Sequence, residues 1–220
     1  VNARISRTEH DGSVTVIVDR HAGGRLNSPN DIVVKSDATI WFTDPPYGIV
    51  SDREGHRAES EQTGNHVFRF DPADGSLRIA TDVIEEPNGL AFSPDEAILY
   101  VSDTSAAMRE GTGNHHVVAF DVRDGEQLVD PRVFAVMKSG LPDGFRVDRG
   151  GNLFSSSADG IHVIAPDATP LGRIPVPEVV SNCAFGGRAG TTLFITASTS
   201  LYAIELQTVG AAATPAGAER

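Results

Sequence analysis

Apolar positions in this chain come in short runs of β-branched and aromatic residues, separated by Gly, Pro, Asn, Asp and Ser. Ile32-Val33-Val34 and Ile40-Trp41-Phe42 predict two strands, and Lys35-Ser36-Asp37-Ala38 between them supplies turn chemistry. A polar corner, Pro29-Asn30-Asp31, precedes the pair. The same layout returns as Pro87-Asn88-Gly89 before Leu90-Ala91-Phe92 and Ile98 to Val101, and as Pro142-Asp143-Gly144 before Phe145-Arg146-Val147 and Leu153-Phe154. A fourth copy runs from Ser181-Asn182-Cys183 to Leu193-Phe194-Ile195.

Between these copies lies a second type of hairpin, turning at Asp11-Gly12, Asp74-Gly75 and Asp124-Gly125, with a weaker version around Asp167. Asp-Gly between alternating segments predicts a tight hairpin because both central residues of the favoured turn take positive φ. The two types together make four strands per repeat. Asn30 to Asn88 spans 58 residues, Asn88 to Asp143 spans 55, and Asp143 to Asn182 spans 39. Four strands repeated at such intervals predict an all-β fold, a β-propeller. The longer intervals hold polar insertions at 45–65 and 104–114, both leaving the end of a second strand and so projecting from one rim.

The phase of the repeats adds a further expectation. The chain opens on an Asp-Gly hairpin without a predecessor and ends on an opening-type hairpin without a successor, giving three whole units and two halves. This predicts a six-bladed propeller in the complete protein, of which about four blade-equivalents are present and roughly one and a half are absent at the N-terminus. Residues 1–206 are then the partial propeller, starting mid-blade, and 207–220, rich in Ala and Gly, a disordered tail.

Composition narrows the partners. A formal net charge of -12, from 18 Lys and Arg against 30 Asp and Glu, disfavours nucleic acid and anionic membrane surfaces and leaves small molecules, cations or proteins. No run of eighteen apolar residues predicts a membrane span. A soluble setting is expected, cytoplasmic in preference to periplasmic or secreted. The one cysteine, Cys183, excludes an internal disulfide framework and reads as a buried thiol at the start of an apolar strand.

In a propeller the first strand of each blade lines the central channel, so Asn30, Asn88, Asp143 and Asn182 are expected around one mouth of it. Amide and carboxylate oxygens are hard donors suited to Ca²⁺, which takes six to eight oxygens in loose geometry. The same residue types also serve strand starts by bonding their own backbone. That structural role is preferred for Asn182, and the metal-site role for Asn30, Asn88 and Asp143.

Leu26-Asn-Ser-Pro-Asn-Asp31, Trp41-Phe-Thr-Asp-Pro-Pro-Tyr-Gly48, Pro87-Asn-Gly-Leu90, Leu141-Pro-Asp-Gly144 and Asn182-Cys-Ala-Phe-Gly-Gly187 resemble the gluconolactonase/regucalcin (senescence marker protein) family, in order and over almost all of the chain. The resemblance implies a six-bladed propeller with a divalent metal, commonly calcium, in its channel, and hydrolysis of a sugar lactone in carbohydrate metabolism. It implies Asn88 and Asp143 as metal ligands, Asn30 beside the metal touching substrate or water, and Asp143 as base or nucleophile. Asp44 and Tyr47, in the loop leaving the second strand, are expected either to contact substrate from above or to belong to a Pro-Pro turn with a packing tyrosine. The chain departs from the family pattern twice. No residue here matches the N-terminal glutamate ligand, and Ser28 stands where sugar-specific members often carry an arginine.

Two alternatives share this mouth: a non-catalytic propeller that binds calcium or another ligand, and a metal-dependent esterase. The sequence carries no Gly-x-Ser-x-Gly elbow, phosphate loop or closely spaced Cys/His cluster, which argues against serine hydrolase, nucleotide and structural zinc chemistry.

Overall fold

Strands form where the sequence puts short apolar runs between turn residues, and the computed structural model describes residues 3–211. The segment read as one propeller piece divides into two compact units, Val1–Asn88 and Gly89–Arg220. In the first, the hairpin β1 (Ile5–Thr8) and β2 (Val14–Val18) is followed by the two-residue pair β3 (Arg20–His21) and β4 (Gly24–Arg25). A four-stranded antiparallel meander then runs through β5 (Ile32–Val34), β6 (Ile40–Asp44), β7 (His66–Asp71) and β8 (Ser76–Thr81). The insertion between β6 and β7 begins with one helical turn, α1 (Tyr47–Val50).

The second unit continues the pattern. Its sheets are β9 (Pro87–Phe92, whose first two residues close the first unit), β10 (Ile98–Asp103), β11 (His116–Arg123) and β12 (Gln127–Val136), then β13 (Phe145–Val147), β14 (Leu153–Ser157), β15 (Gly160–Ile164) and β16 (Pro170–Pro175). A three-stranded sheet of β17 (Val180–Gly186), β18 (Thr192–Ala197) and β19 (Leu201–Glu205) follows. Among the described residues the sheets are thus two two-stranded pairs, three of four strands and one of three, so the last has a strand more than the closing hairpin expected from the repeats.

Within the four-stranded sheets the second strands are mostly buried and the fourth strands less so. β9 is buried along its whole length, whereas β12 and β16 are mostly exposed. A strand covered on both faces reads as a continuous apolar run, and Leu90-Ala91-Phe92 is one. In the first unit Leu26, Phe42 and Phe68 form the core, with the two rings stacked at 5.3 Å. In the second, one cluster holds Tyr100, Phe145, Val147 and Leu153, and another Phe154, Ile161, Leu193 and Ile195. Burying each such side chain contributes about 1.5–3 kcal/mol. Cys183 is 3% exposed in the latter cluster, as a packing residue should be.

Side chains fix the turns. Asp37 Oδ1 takes the Thr39 amide and hydroxyl at 3.0 and 2.6 Å, and Asp95 Oδ1 the Ala97 amide at 3.1 Å. Of the three Asp-Gly turns, only Asp124-Gly125 has positive φ at both residues, 54° and 75°. At Gly12 and Gly75 the glycine alone is left-handed, so these hairpins are closed by longer loops than the two-residue turn expected. In the segment read as a disordered tail, residues 207–211 are hydrogen bonded. Arg149 N–H donates to Val209 O and Ala211 N–H to Val147 O, both at 2.8 Å, and Thr208 Oγ1 donates to Asp148 at 2.9 Å. Residues 212–220 lie outside the described residues.

Candidate active site at the strand-start corners

The corners at Asn30 and Asp143 are short loops and those at Asn88 and Asn182 are the opening residues of β9 and β17. In the first unit, Asn30 N–H donates to Thr43 O at 2.9 Å and Thr43 N–H to Asp31 O at 3.1 Å, extending the β5–β6 ladder back to the corner. The Thr43 hydroxyl accepts from Asp31 N–H at 3.1 Å and donates to Asn88 O at 2.7 Å. Thr43, itself fully buried, thus ties Asn30 and Asn88 to its two sides. Asn88 is 8% exposed, whereas Asn30 is exposed.

The second unit repeats the device. Ser102, fully buried in β10, accepts from Gly89 N–H at 2.8 Å, and its hydroxyl lies 3.4 Å from Gly89 O and 3.3 Å from Asp143 O. Gly89 has no room for a side chain: a methyl there would overlap the Asp143 carbonyl and meet the Phe145 ring at 3.0 Å. Asp143 is half-buried on this seat. The neighbouring glycine, Gly144, donates to Ser181 O at 2.8 Å and is covered by the Asn182 amide. Asn182 Oδ1 accepts from the Cys183 amide at 2.8 Å, and its main-chain oxygen accepts from Thr196 Oγ1 at 3.2 Å. These are bonds of the kind with which asparagine serves the start of a strand.

The residues expected above the mouth are placed differently from one another. Tyr47 is half-buried at the start of α1. Asp44 is fully buried at the end of β6, and both its carboxylate oxygens are taken, by Asn27 N–H and Ser28 N–H at 2.8 Å each. Burial pushes its pKa up to about 7 against the pull of the two amides. It faces inward and shapes the loop leading to Asn30, where the sequence suggested a contact with substrate. Ser28 helps from the other side, donating to Pro45 O at 2.6 Å and accepting from Gly48 N–H at 2.9 Å.

The insertion after β6 folds back over the same loop. Ser60 Oγ donates to Asn27 Oδ1 at 2.6 Å, and Glu61 takes the Arg25 amide and guanidinium at 2.8 and 2.6 Å. Between them lies a cleft of about 260 Å³ lined by Asn27, Gly48, Arg57 and Ser60. In the second unit Asp103 plays the part of Asp44. Buried at the end of β10, it accepts from Ser105 N–H at 3.0 Å and from Asn114 Nδ2 at 2.9 Å, gathering the 104–114 insertion.

Thr43, Ser102 and Asp103 were missed by reading the sequence for charged and amide corners. The signal was present: aligning the repeats on their second strands puts a hydroxyl at Thr43, Ser102, Ser156 and Thr196, followed by Asp44, Asp103, Ser157 and Ala197.

Hard oxygen donors dominate the corners, Asn30 and Asn88 through amides and Asp143 through a carboxylate. Among the described residues no group of three or more His, Cys, Asp or Glu side chains gathers to hold a metal ion. No helix among them is long and apolar enough to cross a membrane.

The fold is that of a β-propeller. The chain belongs to the SMP-30/Gluconolactonase/LRE-like family, whose profile matches residues 1–199. It is 39% identical over 204 residues to a gluconolactonase of Zymomonas mobilis, covering 89% of this chain and 55% of that protein. The solved structure of a gluconolactonase from Xanthomonas campestris superposes with a TM-score of 0.85 at 45% identity, over 93% of this chain and 66% of that one. A calcium-binding regucalcin from Agrobacterium tumefaciens shares the fold, with a TM-score of 0.67 at 17% identity over 90% of this chain and 63% of that one. The chain thus spans about half the length of the curated relatives it matches.

Proposed function

We propose that the protein containing this chain hydrolyses a sugar lactone, with Asp143 as general base or nucleophile and Asn30 and Asn88 orienting substrate or water. The observation that carries the proposal is the seat of Asp143. Its main chain is fixed through Ser102 and against Gly89, and the residue is half-buried at the corner, neither sunk in the core nor loose in solvent. Likeness to gluconolactonases over nine-tenths of the chain supports the substrate class.

The donor set fits a hard divalent cation such as Ca²⁺, which Asn88, Asp143 and Asn30 would hold through oxygen. Bound there, it would supply positive charge for the lactone carbonyl and for the oxyanion of the tetrahedral intermediate. The chain's own residues would do the rest. Asp143 takes the proton of the attacking water or attacks the carbonyl carbon itself, and the amides of Asn30 and Asn88 hold the reacting groups in line.

Proton release from gluconolactone and other aldonolactones, with and without added Ca²⁺, tests the proposal against Asp143→Ala. Calcium-stimulated hydrolysis that is lost in the variant supports it. Calcium binding without turnover of any lactone would replace it with a ligand-binding role, and a preference for aryl esters would replace the substrate class.

A further inference from the structure

We propose that Thr43 and Ser102 are positioning residues of the reaction, each holding through its hydroxyl the main chain from which a functional side chain departs. The proposal rests on the lactonase reading above and deepens it.

The hydroxyl position on the second strand occurs four times, and its copies behave differently. Thr196 Oγ1 is satisfied within its own sheet, at Asn182 O. Ser156 Oγ is buried and finds no hydrogen-bond partner. Thr43 Oγ1 and Ser102 Oγ reach onward to the following corner, at Asn88 O (2.7 Å) and at Asp143 O (3.3 Å, with the Ser102 hydroxyl shared with Gly89 O at 3.4 Å). These two corners carry the residues proposed as ligands and base, and the corner at Asn182, which has a local role, lacks the link.

In both cases the hydroxyl first accepts an amide of its own corner, from Asp31 at 3.1 Å or Gly89 at 2.8 Å. The oxygen is then polarised toward donation, so amide, hydroxyl and carbonyl form a short chain in which each bond strengthens the next. Both hydroxyls are fully buried, so no water replaces a lost bond cheaply. A carbonyl fixed in this way restricts ψ of Asn88 and Asp143, and with it the direction of each side chain. Rotation of a base by a fraction of an ångström at its reacting atom is costly to rate and inexpensive to substrate affinity.

The test compares Thr43→Val, which keeps the shape and removes the hydroxyl, with Thr43→Ser, which keeps the hydroxyl. Ser102→Ala and Ser102→Thr form the matching pair, and wild type and Asp143→Ala are run alongside. Thr43→Val and Ser102→Ala are expected to lower kcat roughly tenfold with KM little changed, the rate equivalent of about 1.4 kcal/mol. Thr43→Ser and Ser102→Thr should retain most of the rate. Wild-type turnover in Thr43→Val and Ser102→Ala, or equal losses in both members of each pair, would overturn the inference while leaving the lactonase reading intact. An inactive wild type would instead remove the lactonase reading, and an active Asp143→Ala would remove the role given to Asp143 in it. The relay itself is read without turnover from the carbonyl ¹³C resonances of Asn88 in Thr43→Val and Asp143 in Ser102→Ala. An upfield shift confined to the linked residue is expected, and unmoved resonances would refute the relay.

Discussion

A carboxyl group buried with both oxygens committed to backbone amides makes a strong prediction about pH. Asp44 is fully buried, and its environment pushes its pKa from 3.8 to about 7. The folded chain therefore holds a proton on Asp44 up to about pH 7, whereas the unfolded chain releases it near pH 4. Folded-state proton uptake stabilises at low pH, so the contribution of Asp44 is complete below the unfolded pKa and is lost as pH rises toward 7. Each unit of pKa difference is worth 1.36 kcal/mol, so between pH 5 and 7 the loss amounts to about 3 kcal/mol. Asp37 and Glu178 do not blur this window. Thr39 and Lys35 outweigh burial at Asp37, and Ser200 and Tyr202 bond Glu178, holding both pKa values down to about 2. Their contributions are lost only on acidification below about pH 4.5. Asp44→Asn removes the titration but keeps the volume, leaving one oxygen for two amides and an NH₂ facing the second. Urea unfolding of both proteins at pH 5 and pH 8 gives the difference directly. Wild type should lead the variant by about 3 kcal/mol more at pH 5 than at pH 8. A lead that stays constant, or grows with pH, would show that the two amides keep the carboxylate charged throughout and would refute the reasoning.

Three other outcomes are expected. Gly89→Ala drives a methyl into the Asp143 carbonyl, which is backbone and yields little, so it should cost about 3 kcal/mol in urea unfolding and depress lactone turnover by displacing Asp143. Gly144→Ala meets the Asn182 amide instead, a side chain that can be removed. Its cost of about 1–3 kcal/mol should therefore fall substantially in the double variant with Asn182→Ala, measured as a double-mutant cycle. Cys183, 3% exposed with its thiol 3.4 Å from Phe154 O, should react with an aromatic disulfide reagent only as the chain unfolds, so rapid labelling in native buffer would contradict its placement.

The sheets were legible because their information is local. Ile32–Val34 and the start of β6 at Ile40 fall where the apolar runs do; the corners at Asn30 and Asp143 precede their strands, whereas those at Asn88 and Asn182 lie within theirs. Turn type was less so. Asp74 and Asp124 precede glycine alike, yet only Asp124 takes positive φ, because strand twist and loop length settle a turn that the dipeptide leaves open. The surroundings of Asp44 were not legible, because the sequence leaves both a substrate contact and a Pro-Pro turn open there. β6 is in fact buried on both faces, which forces any polar residue at its end to find partners inside. The relays through Thr43 and Ser102 depend on which carbonyl lies beyond the hydroxyl, and no spacing along the chain encodes that distance. The bonds of residues 207–211 were hidden for the same reason: composition reports flexibility, and pairing reports what lies alongside.

The carboxylates that close the second strands also explain how the loops around them can vary. Asp44 and Asp103 each end a second strand with two acceptor oxygens, which Asp44 turns back to the loop before its hairpin and Asp103 turns on to the insertion after it. The contract is with hydrogens rather than with particular side chains: one is met by two amides, the other by an amide and an asparagine. Loops of different length and composition can therefore be exchanged at these sockets while the corners beneath stay in register. Loop segments are then free to drift in length and composition at little cost to the geometry of the corners.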